Sequence, residues 1–599
     1  MQKFFKAIAK VFFFTILFCS SVYAENITGS GNEVAENTDE QQNIAGDDTD
    51  VTVKSSFTLE RSASSIKTNN HENTTIVVES GATVSATNSN AIQAADSETG
   101  RLLITNSGTI KATSSKAINL KDAQKATITN NSGGIIQANT NTISMLEASD
   151  DVVDDIIINN YGTIFATDSS DDDTNTIKSD NSSTNVTINN FKGGHIYHTS
   201  ESAVVVAGGS ATLTNSGKIE NKDGPSQNAI TLSTDEGATG ATLILKDSGI
   251  VIGKINITQS GHTIKVNHGM GQSYYYDTTG GGDYDLEDLD GNIIVKGSVG
   301  SVGQGGNEIL DELLGQKSIN LRKSISKFKR SEQYLNQEDA WTEMFTSFEK
   351  RQGEKESLRL EHNNLRAGAN IIQPGQNSNQ ILSIETGRQE FSKDHNIDRV
   401  SISAGLLLDE KLTKFNSNSE TFFVMGVTLN KSTRRILTNT TTSGFLDIED
   451  EYFNYDAVFG TKFLNDEIPD FSYSIGYSFT PNHEESHYYK WEKKDFINAS
   501  IAFSDEYLIL SDDKSKLYFN WLADFREAIM EETQEFRVNN VLAEYQADDD
   551  LSREVTITAG IDYEFQPLEN SLFSINLDGL YSSQETYGAQ AKLYYKSIF

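Results

Sequence analysis

The chain is short of cysteine, of positive charge and of long apolar runs. Among 599 residues the only cysteine is Cys19. It falls in an N-terminal stretch expected to be removed. The mature chain then has no disulfide and no thiol chemistry, and packing and hydrogen bonds must hold it together. Lysine and arginine number 49 against 85 aspartates and glutamates, a formal net charge of -36. Phosphate needs a basic face, so nucleic acid is excluded as a partner. Hydrophobic residues make up 36% of the chain, and no long apolar run follows the N-terminus. A transmembrane helix is therefore not expected in the mature chain. A membrane barrel stays open, because alternating strands leave no hydropathy peak. The length points to more than one domain.

Lys3, Lys6 and Lys10 precede an apolar run over 11–18, and Val22-Tyr23-Ala24 offers the small residues a signal peptidase reads. The reading is a signal peptide over 1–24 with cleavage before Glu25. The run is too short to span a membrane. Phe18 stands before Cys19 where lipid attachment needs a small residue. Residues 25–60 are acidic and poor in apolar side chains, and are expected to form a disordered leader or an N-terminal cap.

A turn signature then recurs. Glu79-Ser80-Gly81 opens it, followed by Asn106-Ser107-Gly108, Asn131-Ser132-Gly133, Asn160-Tyr161-Gly162, Asn190-Phe191-Lys192-Gly193, Asn215-Ser216-Gly217 and Asp247-Ser248-Gly249. The glycines stand 24 to 32 residues apart. Asparagine caps its own backbone in such turns and glycine takes a positive φ. Just before each turn come Val78, Ile104, Ile128, Ile158, Ile188, Leu213 and Leu245; a second row is Ile76, Leu102, Ala126, Ile156, Val186, Ala211 and Leu243. After the glycines come Val84, Ile110, Ile135, Ile164, Ile196, Ile219 and Val251. One repeat of this size cannot bury its own apolar face, but stacked repeats can. The pattern predicts a β-solenoid over 61–300 with Ile158 between Ile128 and Ile188, and a polar insertion at 168–180. A sandwich of hairpins is the alternative. About seven coils at ~4.8 Å each give a stack of ~35 Å.

Chemistry is sparse. Asp247-Ser248-Gly249 has the look of a serine nucleophile, but it is also the next turn of the repeat, and no histidine and aspartate are placed with it. His195, His198, His262 and His268 lack metal-ligand spacing and read as solvated loop residues. Asp283, Asp285, Asp288 and Asp290 crowd between glycines and raise the question of calcium. The spacing fails the EF-hand pattern, and an acidic surface turn is the better reading. Tyr274, Tyr275 and Tyr276 read either as an exposed recognition patch or as the closure of the end of the solenoid core, and closure is the favoured reading. No catalytic residue, cofactor site or metal site is assigned.

Beyond the glycine-rich 297–306 the period becomes helical. Ile309, Leu310, Leu313, Leu314, Leu321, Ile325 and Phe328 recur mostly at three and four residues, with basic residues in the second half. A linker helix is expected within 301–335, about 40 Å long. From Trp341 onward twelve alternating segments follow, near 340–351, 357–372, 379–392, 398–412, 419–435, 450–465, 470–482, 490–505, 515–530, 552–566, 571–584 and 586–599. An even number suits a closed membrane barrel over 336–599. The last of them carries Tyr587, Ala589, Ala591, Leu593 and Tyr595 on one row and ends on Phe599.

A signal peptide, a Ser/Thr/Asn/Gly-rich repeat region, a helical linker and a barrel ending in Phe together resemble the classical autotransporters of Gram-negative bacteria. The resemblance implies an all-β chain: a right-handed β-helix passenger, a short linker α-helix and a twelve-stranded transmembrane antiparallel barrel. It implies that Leu310, Leu314, Leu321, Ile325 and Phe328 lie on a helix threading the pore. It implies that Phe599, with Tyr595 and Leu593, is the signal read by the outer-membrane assembly machinery. The expected partners are outer-membrane lipid, that machinery and a host or surface ligand. The barrel would sit in the outer membrane and display the passenger as an adhesin or structural surface protein. An enzyme passenger and a solute pore are the alternatives.

Overall fold

The computed structural model describes residues 24–301 and 341–597. Excepted are 70, 95–96, 121–122, 146–154, 168–173, 180–184, 200–203, 235–238 and 296–298 in the first span. In the second they are 353–361, 374–377, 392–394, 409–418, 466, 485–488, 532–533, 540, 546–552 and 569–570. Two compact units contain them. One draws on Met1–His268, Tyr276–Glu287 and Thr438–Phe445; the other on Gly269–Tyr275, Asp288–Leu437 and Leu446–Phe599. Residues 269–275 and 288–301, at the end of the expected passenger, therefore belong with the barrel unit.

The first unit is a β-solenoid of three parallel sheets with eleven, eleven and eight strands. Its coils are more numerous than the repeat signature suggested, because strands begin at once. Ala24–Ile27, Asn32–Val34, Gln41–Ile44, Asp50–Val53 and Thr58–Arg61 all join the stack. The stretch read as a leader or cap is thus regular solenoid, polar on its outward residues and carrying Ile27, Val34, Ile44, Val51, Val53 and Leu59 inward.

Each sheet contributes a ladder of like residues. In one, Leu59, Val84, Ile110, Ile136, Ile164, Ile196, Ile219 and Val251 stack in register. Ile136 takes the place assigned to Ile135, whose side chain turns to the other face. A one-residue slip exchanges the faces of a strand. In the second sheet Ile104, Ile128, Ile158, Ile188 and Leu213 stack as expected, and all are buried. At the two ends of that row the register moves by two residues: Ile76 and Leu243 continue it, not Val78 and Leu245. The third sheet has a ladder the turn signature did not reveal: Ile66, Ile92, Ile118, Ile143, Ile177, Val205, Ile230 and Ile255. Several of its strands are only two or three residues long, too short for alternation to show.

The spine beside these ladders is polar. Asn106, Asn130, Asn160, Asn190 and Asn215 stack within the coils, each essentially without solvent exposure. Each amide Nδ2 donates to the Oδ1 of the next asparagine, at 2.8, 2.9, 2.9 and 2.8 Å. A buried amide is tolerable only when its donors and acceptors are matched, and an in-register ladder matches them by repetition. Val78 and Leu245 occupy the same column at its two ends. Asn130, not Asn131, is the repeat member. The glycine that follows it in register is Gly134, whose added Cβ would lie 2.5 Å from Asn130 Oδ1. Gly108 is similar: a Cβ there would lie 2.4 Å from the carbonyl oxygens of Ala82 and Glu79. The glycine column exists for close approach of backbones. Positive φ occurs at the neighbouring Gly81, Gly133 and Gly193 instead.

The second unit contains a closed antiparallel barrel of twelve strands. In order they are Trp341–Arg351, His362–Gln373, Ser378–Phe391, His395–Leu408, Ser419–Thr438, Phe445–Phe463, Asp470–Thr480, Lys494–Ser511, Ser515–Glu531, Arg553–Leu568, Ser571–Ser582 and Thr586–Ser597. The first pairs with the twelfth from Trp341↔Lys596 to Arg351↔Thr586, which closes the ring and leaves no edge in the wall. No helix occurs among the described residues. The linker helix expected within 301–335, with Leu310, Leu314, Leu321, Ile325 and Phe328, lies outside them apart from Ser301, as does the expected signal peptide over 1–24 apart from Ala24.

Candidate functional site

The barrel wall shows what this half of the chain can do. Along each strand one row faces out and the next faces in. The outward row is apolar: Met344, Phe348, Leu365, Ile371, Ile384, Ile402, Ile475, Ile557, Ile561 and Leu577 are all large, hydrophobic and exposed. In water such a continuous apolar band would be strongly unfavourable; in a hydrocarbon layer it is the expected lining. Near the end where the first strand begins and the last strand ends, rings touch across strands. Phe463 meets Phe471 at 6.1 Å between centroids, and Phe471 meets Phe503 at 5.4 Å. Farther round, Phe565 meets Phe573 at 5.3 Å, and Phe573 meets Tyr595 at 4.7 Å. Aromatic belts of this kind mark the boundary between lipid and water.

Leu593 and Tyr595 stand on the outward row of the last strand, 46% and 42% exposed, while Lys592, Tyr594 and Lys596 turn inward. The predicted alternation of that strand therefore holds. Phe599 lies outside the described residues.

The inward row is charged and paired. Arg366 Nη2 bonds Glu349 at 2.9 Å and Arg366 Nη1 lies 3.5 Å from Glu385. Arg526 pairs with Glu554, and Lys592 Nζ lies 3.6 Å from Glu343. Asp524 accepts from Ser500, and Asp562 from Ser574. The interior is not wholly polar. Ile372, Ile381, Leu407, Phe422, Val424 and Val458 belong to one buried apolar cluster.

The end of the barrel remote from the chain ends is roofed. Two hairpin loops supply a small four-stranded sheet: His483–Glu484, Tyr489–Trp491, Gln534–Val538 and Val541–Tyr545. Tyr275, Val295, Ile436, Ile448, Tyr489, Trp491 and Val538 form one buried cluster there. Tyr489 Oη donates to the carbonyl oxygens of Tyr274 at 2.8 Å and Ser301 at 3.2 Å, and Asn539 Nδ2 donates to Tyr275 Oη at 2.7 Å. Tyr274 and Tyr275 are thus buried in the barrel unit rather than closing the solenoid, whereas Tyr276 is buried against His268 in the solenoid unit. The sequence carried no signal for this excursion, because most of its partners, Ile436, Ile448, Tyr489, Trp491 and Val538 among them, lie more than 160 residues away.

The acidic cluster resolves into turn chemistry. Asp288 Oδ2 accepts from Tyr274 Oη at 2.8 Å, and Asp288 Oδ1 accepts from the amides of Asp290 and Asn292 at 2.9 and 3.0 Å. Burial raises the Asp288 carboxyl above its ordinary range against these bonds. Among the described residues no group of three or more side chains is placed to hold a metal ion.

The histidines are not solvated loops. His198, His262 and His268 are buried in or beside strands. His262 Nδ1 accepts the amide of Ala241 at 2.9 Å, and burial holds its pKa below the ordinary value. His268 Nδ1 accepts the amide of Ser248 at 3.2 Å and its Nε2 lies 2.8 Å from Tyr276 Oη. The contact with Ser248 is to its backbone, which leaves Asp247-Ser248-Gly249 as a turn, with Asp247 and Ser248 at φ 51° and 60°. His195 is half-buried, 2.9 Å from Glu220. Burial pulls His195 down in spite of that carboxylate. Burial alone would raise Glu220, but Lys222 and Lys218 hold it below its ordinary range. On the same outward face Phe165 stacks on Tyr197 at 4.7 Å, and in the neighbouring turns Tyr161 stacks on Phe191 at 4.3 Å, extending the ladder principle to the surface.

Neither a family model nor any curated protein matches the chain. Solved structures do resemble it. The translocator domain of the autotransporter NalP from Neisseria meningitidis is 11% identical, covering 48% of this chain and 98% of that one, with a TM-score of 0.31. The β domain of the Bordetella autotransporter BrkA is 7% identical, covering 44% and 100%, at 0.29. An outer membrane channel from Pseudomonas putida F1 is 12% identical, covering 44% and 97%, at 0.26. The chain's own geometry carries the assignment of architecture: a parallel β-solenoid followed in sequence by a closed, twelve-stranded barrel with an apolar outer row.

Proposed function

We propose that the chain is an autotransporter that inserts in the outer membrane through residues 341–597 and displays its solenoid at the cell surface, as an adhesin or a structural surface protein. The observation that carries this reading is the union in one chain of a closed barrel with an apolar outer wall and a long parallel stack with a polar outer face. The first is suited to lipid and the second to water. Outer-membrane lipid is the barrel's partner, and the outer-membrane assembly machinery reads Phe599 together with Tyr595 and Leu593. The exposure of Leu593 and Tyr595 on the outward row supports that role, since it leaves both accessible along the final strand. A host or surface ligand is the passenger's partner.

The test is protease shaving of intact cells followed by sizing of what stays with the membrane. Display predicts that the solenoid is digested or released while a fragment near the size of 341–599 survives. Full protection of the solenoid until the outer membrane is opened would refute it. Removal of Phe599 tests the assembly role separately: poor appearance on cells with normal refolding in detergent supports it, and normal display on cells contradicts it.

A further inference from the structure

The solenoid sheet that carries Ile158 has an outward face unlike those of the other two. Two outward rows run along it in register. One takes a residue from each of eight strands between Thr75 and Thr263, the other from each of eight between Thr52 and Ile244. Ten of these sixteen residues are threonine; Asn159 and Asn189 are amides, and Val77, Leu103, Ile157 and Ile244 are aliphatic. Ile157 is 37% exposed and the other fifteen are half-buried. Strand preference accounts for threonine on any β surface. It does not account for the missing charge. Charged residues make up 22% of the chain, yet neither row holds one until Asp50 at one end and Lys265 at the other. The sheet that carries Ile164 shows Glu60, Lys111, Lys218 and Glu220 outward, and the sheet that carries Ile118 shows Lys67 and Lys178.

The face is also regular. Neighbours within a row stand about 4.8 Å apart and the rows roughly 6.6 Å apart, from the spacing and rise of parallel strands. No register shift interrupts the pairing along either row. Sheets held by side-chain ladders stay flatter than most, and the asparagine spine lies in this same sheet. Threonine is branched at Cβ and holds few rotamers, so its hydroxyls and methyls are fixed on the grid. Asn189 Nδ2 donates to Asn159 Oδ1 at 3.0 Å, which fixes the two amides as well.

We propose that this face binds ice. Such a surface suits an uncharged lattice of hydrogen-bonding groups with short repeats in two directions. Both intervals lie close to repeat distances on a prism face of ice. The methyls order the first water layer, and the hydroxyls bond to it as donor and acceptor. A protein partner fits less well. The strip covers on the order of 400 Å2, against the about 800 Å2 that each partner of a stable complex buries. A formal net charge of -36 also keeps copies of the chain apart. None of the sixteen residues is aromatic, so a sugar ring has no face on which to stack.

The experiment is partition of the purified full chain, in detergent, into slowly growing ice, with a dye that ice excludes as the reference. The wild type should be enriched in the ice over the dye. Thr129→Lys with Thr214→Lys puts two charges on the face and should abolish the enrichment. Thr109→Lys with Thr163→Lys makes the same change on the outward row of the sheet that carries Ile164 and should leave it unchanged. Unfolding midpoints by circular dichroism report whether the fold is kept. Thr129→Ser with Thr214→Ser, which keeps the hydroxyls and removes the methyls, is the second variant of the face and should reduce the enrichment. Exclusion of the wild type together with the dye overturns the proposal. So does equal loss in both lysine pairs, or no loss in the first.

Discussion

The solenoid and the barrel are both written in alternating residues, and they use the alternation in opposite senses. In the solenoid Ile158 points in and Thr129 points out. In the barrel Asp524 and Glu554 point in, and Phe525 and Val555 point out. The same period makes a strand in both, and the solvent decides which row is inside. Other signals separate the two. Solenoid strands are mostly two to six residues long and parallel, and stack identical side chains. Barrel strands run from eleven to twenty residues and are antiparallel, and they pair opposite charges across the interior. A buried asparagine can be satisfied by its copy one coil away, whereas a buried carboxylate needs a different residue, as Glu349 finds in Arg366.

The comparison can be broken most forcefully from the solenoid interior. Ile158→Asp would bury a carboxylate between Ile128 and Ile188 and should cost about 4 kcal/mol or more. Thermal unfolding of the solenoid by circular dichroism checks this; an unchanged midpoint would show that the register is wrong. Next comes the outward row. Ile475→Arg should cost about 2–4 kcal/mol in lipid vesicles, measured by reversible refolding of the barrel. Thr129→Arg, equally outward but in the solenoid, should stay within about 0.5 kcal/mol. Equal costs would remove the inversion of solvent between the two regions. Asn160→Ala breaks the spine, leaving the Asn130 amide and the Asn190 oxygen without their ladder partner, for about 1–3 kcal/mol. The smallest effect concerns pH. The folded pKa of His262 lies below its ordinary value, so the folded solenoid binds fewer protons than the unfolded chain as pH falls through about 6.5. Stability is full above that point and declines below it. His262→Gln should flatten the decline, read as unfolding midpoints between pH 7.5 and 5.

Much of this was legible in the sequence, and the gaps have physical causes. Twelve barrel strands were countable because lipid demands strict alternation. The eighth was cut short near 505, where Tyr507-Leu508-Ile509-Leu510 abandons alternation; its true end is Ser511. The solenoid's middle rows were legible from Ile104 to Leu213, since Asn-x-Gly marks each turn. An inserted residue moved the register by one at Asn131 and Ile135. At Val78 and Leu245 the asparagine is replaced by an apolar residue, and two adjacent inward positions cannot be told apart by polarity alone. The strands of 24–61 were hidden by acidic outward residues. The buried histidines and the roof over the barrel depend on partners far away in sequence, as in the contact of Tyr489 with Tyr274. No local pattern reports those.

The most direct test of the account uses cysteine, of which the sequence has one, Cys19. Lys111→Cys on the solenoid's outward face and Ile475→Cys on the barrel's outward row are each placed in the full chain with Cys19→Ser. Intact cells are then treated with a membrane-impermeant maleimide. The account predicts rapid labelling at position 111, and labelling at 475 only after the membrane is dissolved and the barrel unfolded. Protection of 111 on intact cells with labelling after lysis, or ready labelling of 475 from water, would contradict it.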